Sequence, residues 1–167
     1  MVIQTGVFTE RLFSTVLGGL GYQNLAEKYT VKLLHQLLNQ YDQDRLYWLH
    51  DNHSDDISPT QIVDYAFGVD YIVNVKPTNQ RIGIDFTINE EALKRKVGKA
   101  KRNKRLWRNA LRIDTMLVVC FDLPKGDDQG LLFYDLEDCE DQLLDALFSA
   151  IESPEECLST IIKVRRK

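Results

Sequence analysis

Two short segments near the middle of the chain constrain its fold more than any other feature: Asp70-Tyr71-Ile72-Val73-Asn74-Val75-Lys76 and Arg81-Ile82-Gly83-Ile84-Asp85-Phe86-Thr87-Ile88. In both, apolar and polar side chains alternate with a period of two, which is the pattern of strands with one face in a core. Tyr71, Val73, Val75, Ile82, Ile84, Phe86 and Ile88 fall on the apolar side, and Ile72 alone breaks the rule. With a turn centred in Pro77-Thr78-Asn79-Gln80, the segments form an antiparallel hairpin. Asp70 then lies opposite Thr87 and diagonal to Asp85, roughly 7–8 Å apart between backbones, within reach of one shared ion. Aspartate is disfavoured in mid-strand because its side chain competes for backbone hydrogen bonds. Two readings of the pair stand: a divalent-cation site built on oxygen ligands, or a hairpin whose polar face meets solvent.

The next segment adds charge of one sign. Lys94, Arg95, Lys96, Lys99, Lys101, Arg102, Lys104, Arg105, Arg108 and Arg112 contain ten of the 21 basic groups, and no acid interrupts them. At about 100° per residue Leu93, Val97, Ala100, Trp107 and Leu111 share a stripe. The spacing predicts one amphipathic helix from Asn89 to Leu111, with Asn89 as N-cap and Glu90 and Glu91 in the first turn. Lys104 falls inside the stripe and Lys96 at its edge. Like charges three and four residues apart repel, so the helix calls for a counter-charge. A nucleic acid supplies one; the stretch from Asp122 to Glu156, with twelve Asp and Glu against Lys125, supplies another.

Elsewhere the pattern predicts a helix from Phe8 to Leu20, ended by Gly18-Gly19-Leu20-Gly21. A second, capped by Asn24, runs to about Tyr41 with Glu27 in its first turn. Between Asp42 and Gly68 the expectations are a short strand at Leu46 to Leu49, solvated loop histidines at His50 and His53, and a helix from Pro59 to Phe67. Thr115 to Phe121 is almost wholly apolar, as in a strand buried on both faces. A turn over Gly126 to Gly130, an edge strand at Leu131 to Tyr134, and helices over Leu136 to Ile151 and Pro154 to Val164 complete the reading. At 167 residues and 44% hydrophobic content, the chain suits one domain. Three cysteines without C-x-x-C spacing indicate neither a disulfide framework nor zinc, and fit a reducing, cytoplasmic setting. The first residues lack the pattern of a signal peptide, and no apolar run is long enough to cross a membrane.

The order of parts resembles the PD-(D/E)xK nuclease superfamily, the restriction endonuclease-like proteins: a helix, strands carrying an aspartate and then a D/E-x-K motif, a helix, and a further strand. Gly68-Val69-Asp70 resembles the first motif and Ile84-Asp85-Phe86-Thr87 the second, with Val69 in place of proline and Thr87 in place of lysine. The resemblance implies an α/β fold with a mixed sheet flanked by helices. The nuclease-like core would span about 24–122, with helical extensions at both ends, the acidic C-terminal one at about 135–167. It implies a Mg²⁺- or Mn²⁺-dependent endonuclease hydrolysing DNA, with RNA as the second candidate substrate and a homodimer left open. Asp70 and Asp85 would be metal ligands, and Glu27, with Glu10 as fallback, would be an outer acidic partner. Thr87 would stand near the water, with Lys96 supplying the charge of the missing lysine. Lys94, Arg95, Lys99, Lys101, Arg102, Lys104, Arg105 and Arg108 would contact nucleic acid. The alternatives are a catalytically inactive module of the same fold that binds nucleic acid, and a protein-interaction domain in which basic helix and acidic tail neutralise each other.

Overall fold

The computed structural model describes residues 2–124 and 130–167, with side chains from residue 10 onward apart from residue 132. The protein is α/β: a four-stranded mixed sheet with helices on both faces and a helical N-terminal region. The strands are β1 (Tyr71–Val75), β2 (Gln80–Thr87), β3 (Thr115–Asp122) and β4 (Cys157–Lys163), in the spatial order β1-β2-β3-β4. β1 and β2 are antiparallel, while β2, β3 and β4 run parallel.

The sheet divides the interior into two cores. On one face α1 (Val2–Gly19) and α7 (Leu136–Ile151) cover Val73, Val75, Ile82, Ile84, Leu117, Val119 and Phe121. On the other, α2 (Val31–Tyr41), α3 (Gln43–Asn52), α4 (Pro59–Phe67), α5 (Glu90–Arg102) and α6 (Lys104–Leu111) enclose Ile72, Met116 and Val118. Ile72, the residue that broke the alternation, is thereby explained. The second face of the hairpin is largely covered: it has its own core, Gly83 is buried and Asp85 is only 8% exposed, while Asn74 meets solvent. β3 lies between two strands and under helices on both sides, as its apolar run predicts.

Local signals set the helix boundaries. Ser58 and Gln61 form a reciprocal capping box at the start of α4, Pro59 occupies its first turn, and Gly68 ends it at φ 72°, a conformation that favours glycine. α1 stops at Gly19 within the glycine run. Asn89 caps α5 by accepting the Glu91 N–H.

Several expectations are corrected. The turn occupies 76–79, with Val75 paired to Gln80 and Asn79 in the left-handed region, so the register shifts by two residues. The ladder ends at Tyr71↔Ile84, and the next step sets Asp70 beside Asp85 rather than opposite Thr87. The single basic helix is two helices, broken at Asn103, whose side-chain oxygen accepts from Arg45 Nη2 at 3.3 Å while Arg45 Nη1 donates to the Ala66 carbonyl. The break lets Trp107 bury completely and donate its indole N–H to the Ala100 carbonyl at 2.8 Å.

Asn24 caps a short 3-10 turn, Leu25–Lys28, and Thr30 caps α2 separately. Leu46 to Leu49 lies in α3, where Asp42 caps the helix and Leu46 and Leu49 are one turn apart on the buried side, so His50 is helical too. Leu131–Phe133 is a 3-10 turn instead of an edge strand. The segment read as a final helix contains β4: Thr160, Ile161 and Ile162 are β-branched, and parallel pairing with β3 gives their backbone groups partners. The C-terminal extension therefore belongs partly to the sheet. The turn expected over Gly126 to Gly130 falls largely outside the described residues.

Candidate functional site

Asp70 and Asp85 come together because β1 begins where β2 nears its end. The Asp70 N–H donates to the Ile84 carbonyl at 2.9 Å, and its Oδ2 accepts the Phe86 N–H at 3.0 Å. The carboxylate is thus clamped across the strand pair beside Asp85. A third acid, Asp64, joins them from the last turn of α4. Sequence reasoning missed it because nothing in α4 marks it. The available signal was an acid on the polar side of a helix that ends, through Gly68, directly before Asp70.

Burial and crowding hold Asp70 and Asp64 away from ordinary ionisation. Burial first, then the neighbouring charges of Asp64 and Asp85, push the Asp70 carboxyl well above the usual carboxylate range. Asp64 is raised by burial and by Asp85, against lowering by a hydrogen bond with Asp70 and by the ammonium groups of Lys96 and Lys99. Asp64 and Asp70 share a hydrogen bond and titrate as one system.

Lys96 provides the nearest counter-charge. Its Nζ lies 3.0 Å from Asp85 Oδ1 in a partly buried ion pair. The turn of α5 that carries it therefore faces the hairpin, where the edge of the apolar stripe placed it. Lys99, one turn on, packs its Cε 3.7 Å from where a β-carbon on Gly68 would lie. Thr87 serves the backbone instead. Its hydroxyl accepts the Asn89 N–H at 3.0 Å, shaping the turn from β2 into α5. Like Asp85 and Lys96, it is not among the residues lining the cleft described next.

A cleft of about 410 Å³ opens beside Asp70 and Asp64, with Glu27, Glu10, Gln61, Tyr65 and Phe86 in its walls. Both Glu27 and its fallback Glu10 therefore face the same space as Asp70. Glu27 is close enough to Tyr71 that its charge, after burial, raises the phenol. Phe86 stacks on Phe13 with ring centroids 4.0 Å apart, which fixes α1 against this end of the sheet. Asn24 joins the parts. Its Oδ1 accepts the N–H groups of Ala26 at 3.1 Å and Ile72 at 3.0 Å, while Nδ2 donates to the Asp70 carbonyl at 3.4 Å. Legible in the sequence only as a cap, it ties the turn bearing Glu27 to the strand bearing Asp70.

Whether this donor set suits Mg²⁺ or Mn²⁺ is a matter of chemistry and count. Among the described residues no group of three or more His, Cys, Asp or Glu is arranged to hold a metal ion. The acids are neighbours in charge without converging on one point. Mg²⁺ takes one or two carboxylates and completes its shell with water and phosphate oxygens. Two hard oxygen donors, one of them held back from ionising by burial and by adjacent negative charge, fit such an ion. The histidines do not contribute: His53 stacks on Tyr65 and His50 meets His35. The thiols of Cys139 and Cys157 are pushed up to about 11, chiefly by burial, and all three cysteines are free.

Lys94, Arg95, Lys99, Lys101, Arg102 and Arg105 are exposed and, among the described residues, make no ion pair. Lys104 is half-buried. Arg108 pairs with Glu155 at 2.7 Å. The acidic helix α7 lies against the opposite face of the sheet, so the counter-charge expected from the tail reaches the basic helices through Glu155. No helix among the described residues is long and apolar enough to cross a membrane. Comparison with protein-family models, with curated proteins and with solved structures finds no match.

Proposed function

We propose that the protein is a metal-dependent nuclease of the restriction endonuclease-like type, hydrolysing phosphodiester bonds of DNA. The observation that carries this reading is the Lys96 ammonium, 3.0 Å from Asp85 and close enough to Asp64 for its charge to be felt there, delivered from the helix that follows the hairpin. This constellation supplies, from another position, the charge that Thr87 lacks. The order of hairpin, helix and parallel strand matches the family pattern and supports the same reading.

Asp70 and Asp85 would hold the divalent ion, which when bound lowers the pKa of a water and offsets charge on the scissile phosphate. Lys96 orients that water and stabilises negative charge as it develops on the phosphate oxygens. Burial, with the neighbouring Asp64 and Asp85, keeps Asp70 protonated until a cation competes for it, and Glu27 lines the cleft as an outer acidic partner. The exposed cations of α5 and α6 attract the backbone of the nucleic acid.

The test is cleavage of supercoiled, linear and single-stranded DNA, and of RNA, with Mg²⁺ or Mn²⁺. Asp85→Ala is expected to abolish cleavage and leave binding in place. Lys96→Ala should do the same, and adding Thr87→Lys should restore part of the loss. A second reading, a catalytically inactive module that binds nucleic acid, is favoured by the same ion pair seen differently: Lys96 already neutralises Asp85. Binding without cleavage above the Asp85→Ala control selects that reading, and absence of binding at low salt removes both.

A further inference from the structure

The break at Asn103 turns α6 away from α5 and opens a groove of about 630 Å³ lined by Lys101, Arg102, Lys104, Arg105, Arg108 and Arg112. Asp114, at its rim, is engaged: its Oδ2 accepts the Arg81 N–H at 2.9 Å. Among the described residues, Arg108 alone of the six cations has an ion pair. Within α6, Lys104 and Arg108 are four residues apart and Arg105 and Arg108 three, spacings at which like charges repel. Arg112 ends α6 at φ 56°, a position that glycine or asparagine occupies with less strain. Local stability is thus set aside for positive charge at every turn of this groove.

Its position relative to Asp85 is set by α5: Lys96, whose ammonium meets Asp85, precedes Lys101 of the groove by five residues, about 7.5 Å of helix at about 1.5 Å per residue. Lys94, Arg95 and Lys99 are exposed on the helix that joins the two.

We infer that this groove anchors the phosphodiester backbone of nucleic acid at a site distinct from the cleft, with α5 running from one to the other. The inference rests on the proposed function for the placement of the reacting phosphate, but binding at the groove is measured without cleavage. Charge alone would admit two other occupants: an acidic protein segment, and the face of α7 in a second copy, which exposes Glu137, Asp141 and Asp145. The exposed cations Lys94, Arg95 and Lys99, without an ion pair among the described residues, continue the charge along α5 beyond the groove and favour nucleic acid, a uniformly charged chain that can follow them, over both.

The experiment uses fluorescence anisotropy with a labelled DNA duplex two helical turns long, in EDTA, over a salt series. The variant combines Lys101→Ser, Arg105→Ser and Arg112→Asn, all exposed positions, the last matched to its left-handed backbone. Affinity at low salt should fall at least about tenfold, and the log–log salt slope should become shallower by about 2.7, or about 0.9 for each phosphate no longer neutralised. Asp85→Ala should bind DNA like wild type; if both bind, and wild type does not cut when Mg²⁺ or Mn²⁺ replaces the EDTA, the nuclease reading fails while the groove stands. Unchanged affinity and slope in the triple variant overturn the inference. So does competition by polyglutamate equal to that of DNA at matched charge, which selects an acidic protein. Salt-sensitive dimers abolished by the triple variant, with DNA binding intact, select α7 of a second copy.

Discussion

The two faces of the sheet are built to different ends. The face under α1 and α7 is apolar throughout the region it covers: Phe13, Leu17, Leu143 and Leu147 are fully or almost fully buried against Ile82, Ile84, Val119 and Phe121. The face under α4, α5 and α6 also has an apolar centre, around Trp107 and Val118, but at the end near Asp70 it holds acids, a partly buried ion pair and a second lysine charge, from Lys99, within reach. Both sides come from the same strands. β2 sends Ile82, Ile84 and Phe86 one way and Asp85 the other. The comparison teaches that the cost of ionisable groups is confined to one face, while the other supplies stability that tolerates it.

Substitutions that separate the faces test this division. Leu143→Ala, on the closed face, removes a wholly buried side chain from a packed core and should cost about 2–5 kcal/mol. Chemical denaturation would measure the loss, and DNA affinity under conditions where the protein stays folded should not change. A loss below about 1 kcal/mol would show that α7 packs too loosely to be the stabilising side. Asn24→Ala is expected to come next, at about 1–3 kcal/mol, because two N–H groups lose their acceptor in a buried setting. It should also lower cleavage more than its effect on stability explains, because Glu27 and Asp70 are no longer tied together. Equal activity per folded molecule would reduce Asn24 to a structural cap.

Much of the closed face was legible in the sequence, and less of the other. A period of two in β1 and β2 and a continuous apolar run in β3 report burial directly, so those strands and the α7 helix follow from pattern. β4 did not, because a short segment of Cys157 to Lys163 between acids and basic residues has no alternation strong enough to outweigh helix spacing. Its strand state comes from pairing with β3, a long-range gain that local propensity does not contain. The register of the hairpin turned on Asn79 adopting a positive φ, a choice that one residue makes and a four-residue turn hides. Asp70, Asp85 and Lys96 were accessible from strand and helix phase. Asp64 and the clamping role of Asn24 depend on how separate elements dock, which no single-element periodicity records.

The smallest expected effect is also the one that most directly probes the acidic end. Asp70 has its folded-state pKa raised, so the folded protein binds more protons than the unfolded chain between the ordinary carboxylate pKa and the higher folded value. Stability therefore falls as pH rises through that window: the contribution is fully present below the unfolded pKa and lost above the folded one. In Asp70→Asn the carboxamide cannot ionise, and its oxygen can still accept the Phe86 N–H that Asp70 Oδ2 now holds. The substitution should leave stability unchanged in mild acid and raise it towards neutral pH, flattening the pH profile of the melting temperature without abolishing it, since Asp64 titrates in the same direction. Mg²⁺ should then raise the melting temperature of wild type near neutral pH and have little effect on Asp70→Asn, because the ion compensates the charge that the substitution removes. A variant less stable than wild type at neutral pH would mean that the Asp70 carboxylate is already balanced by Lys96 and its neighbours, and that the two faces differ in packing but not in stored electrostatic cost.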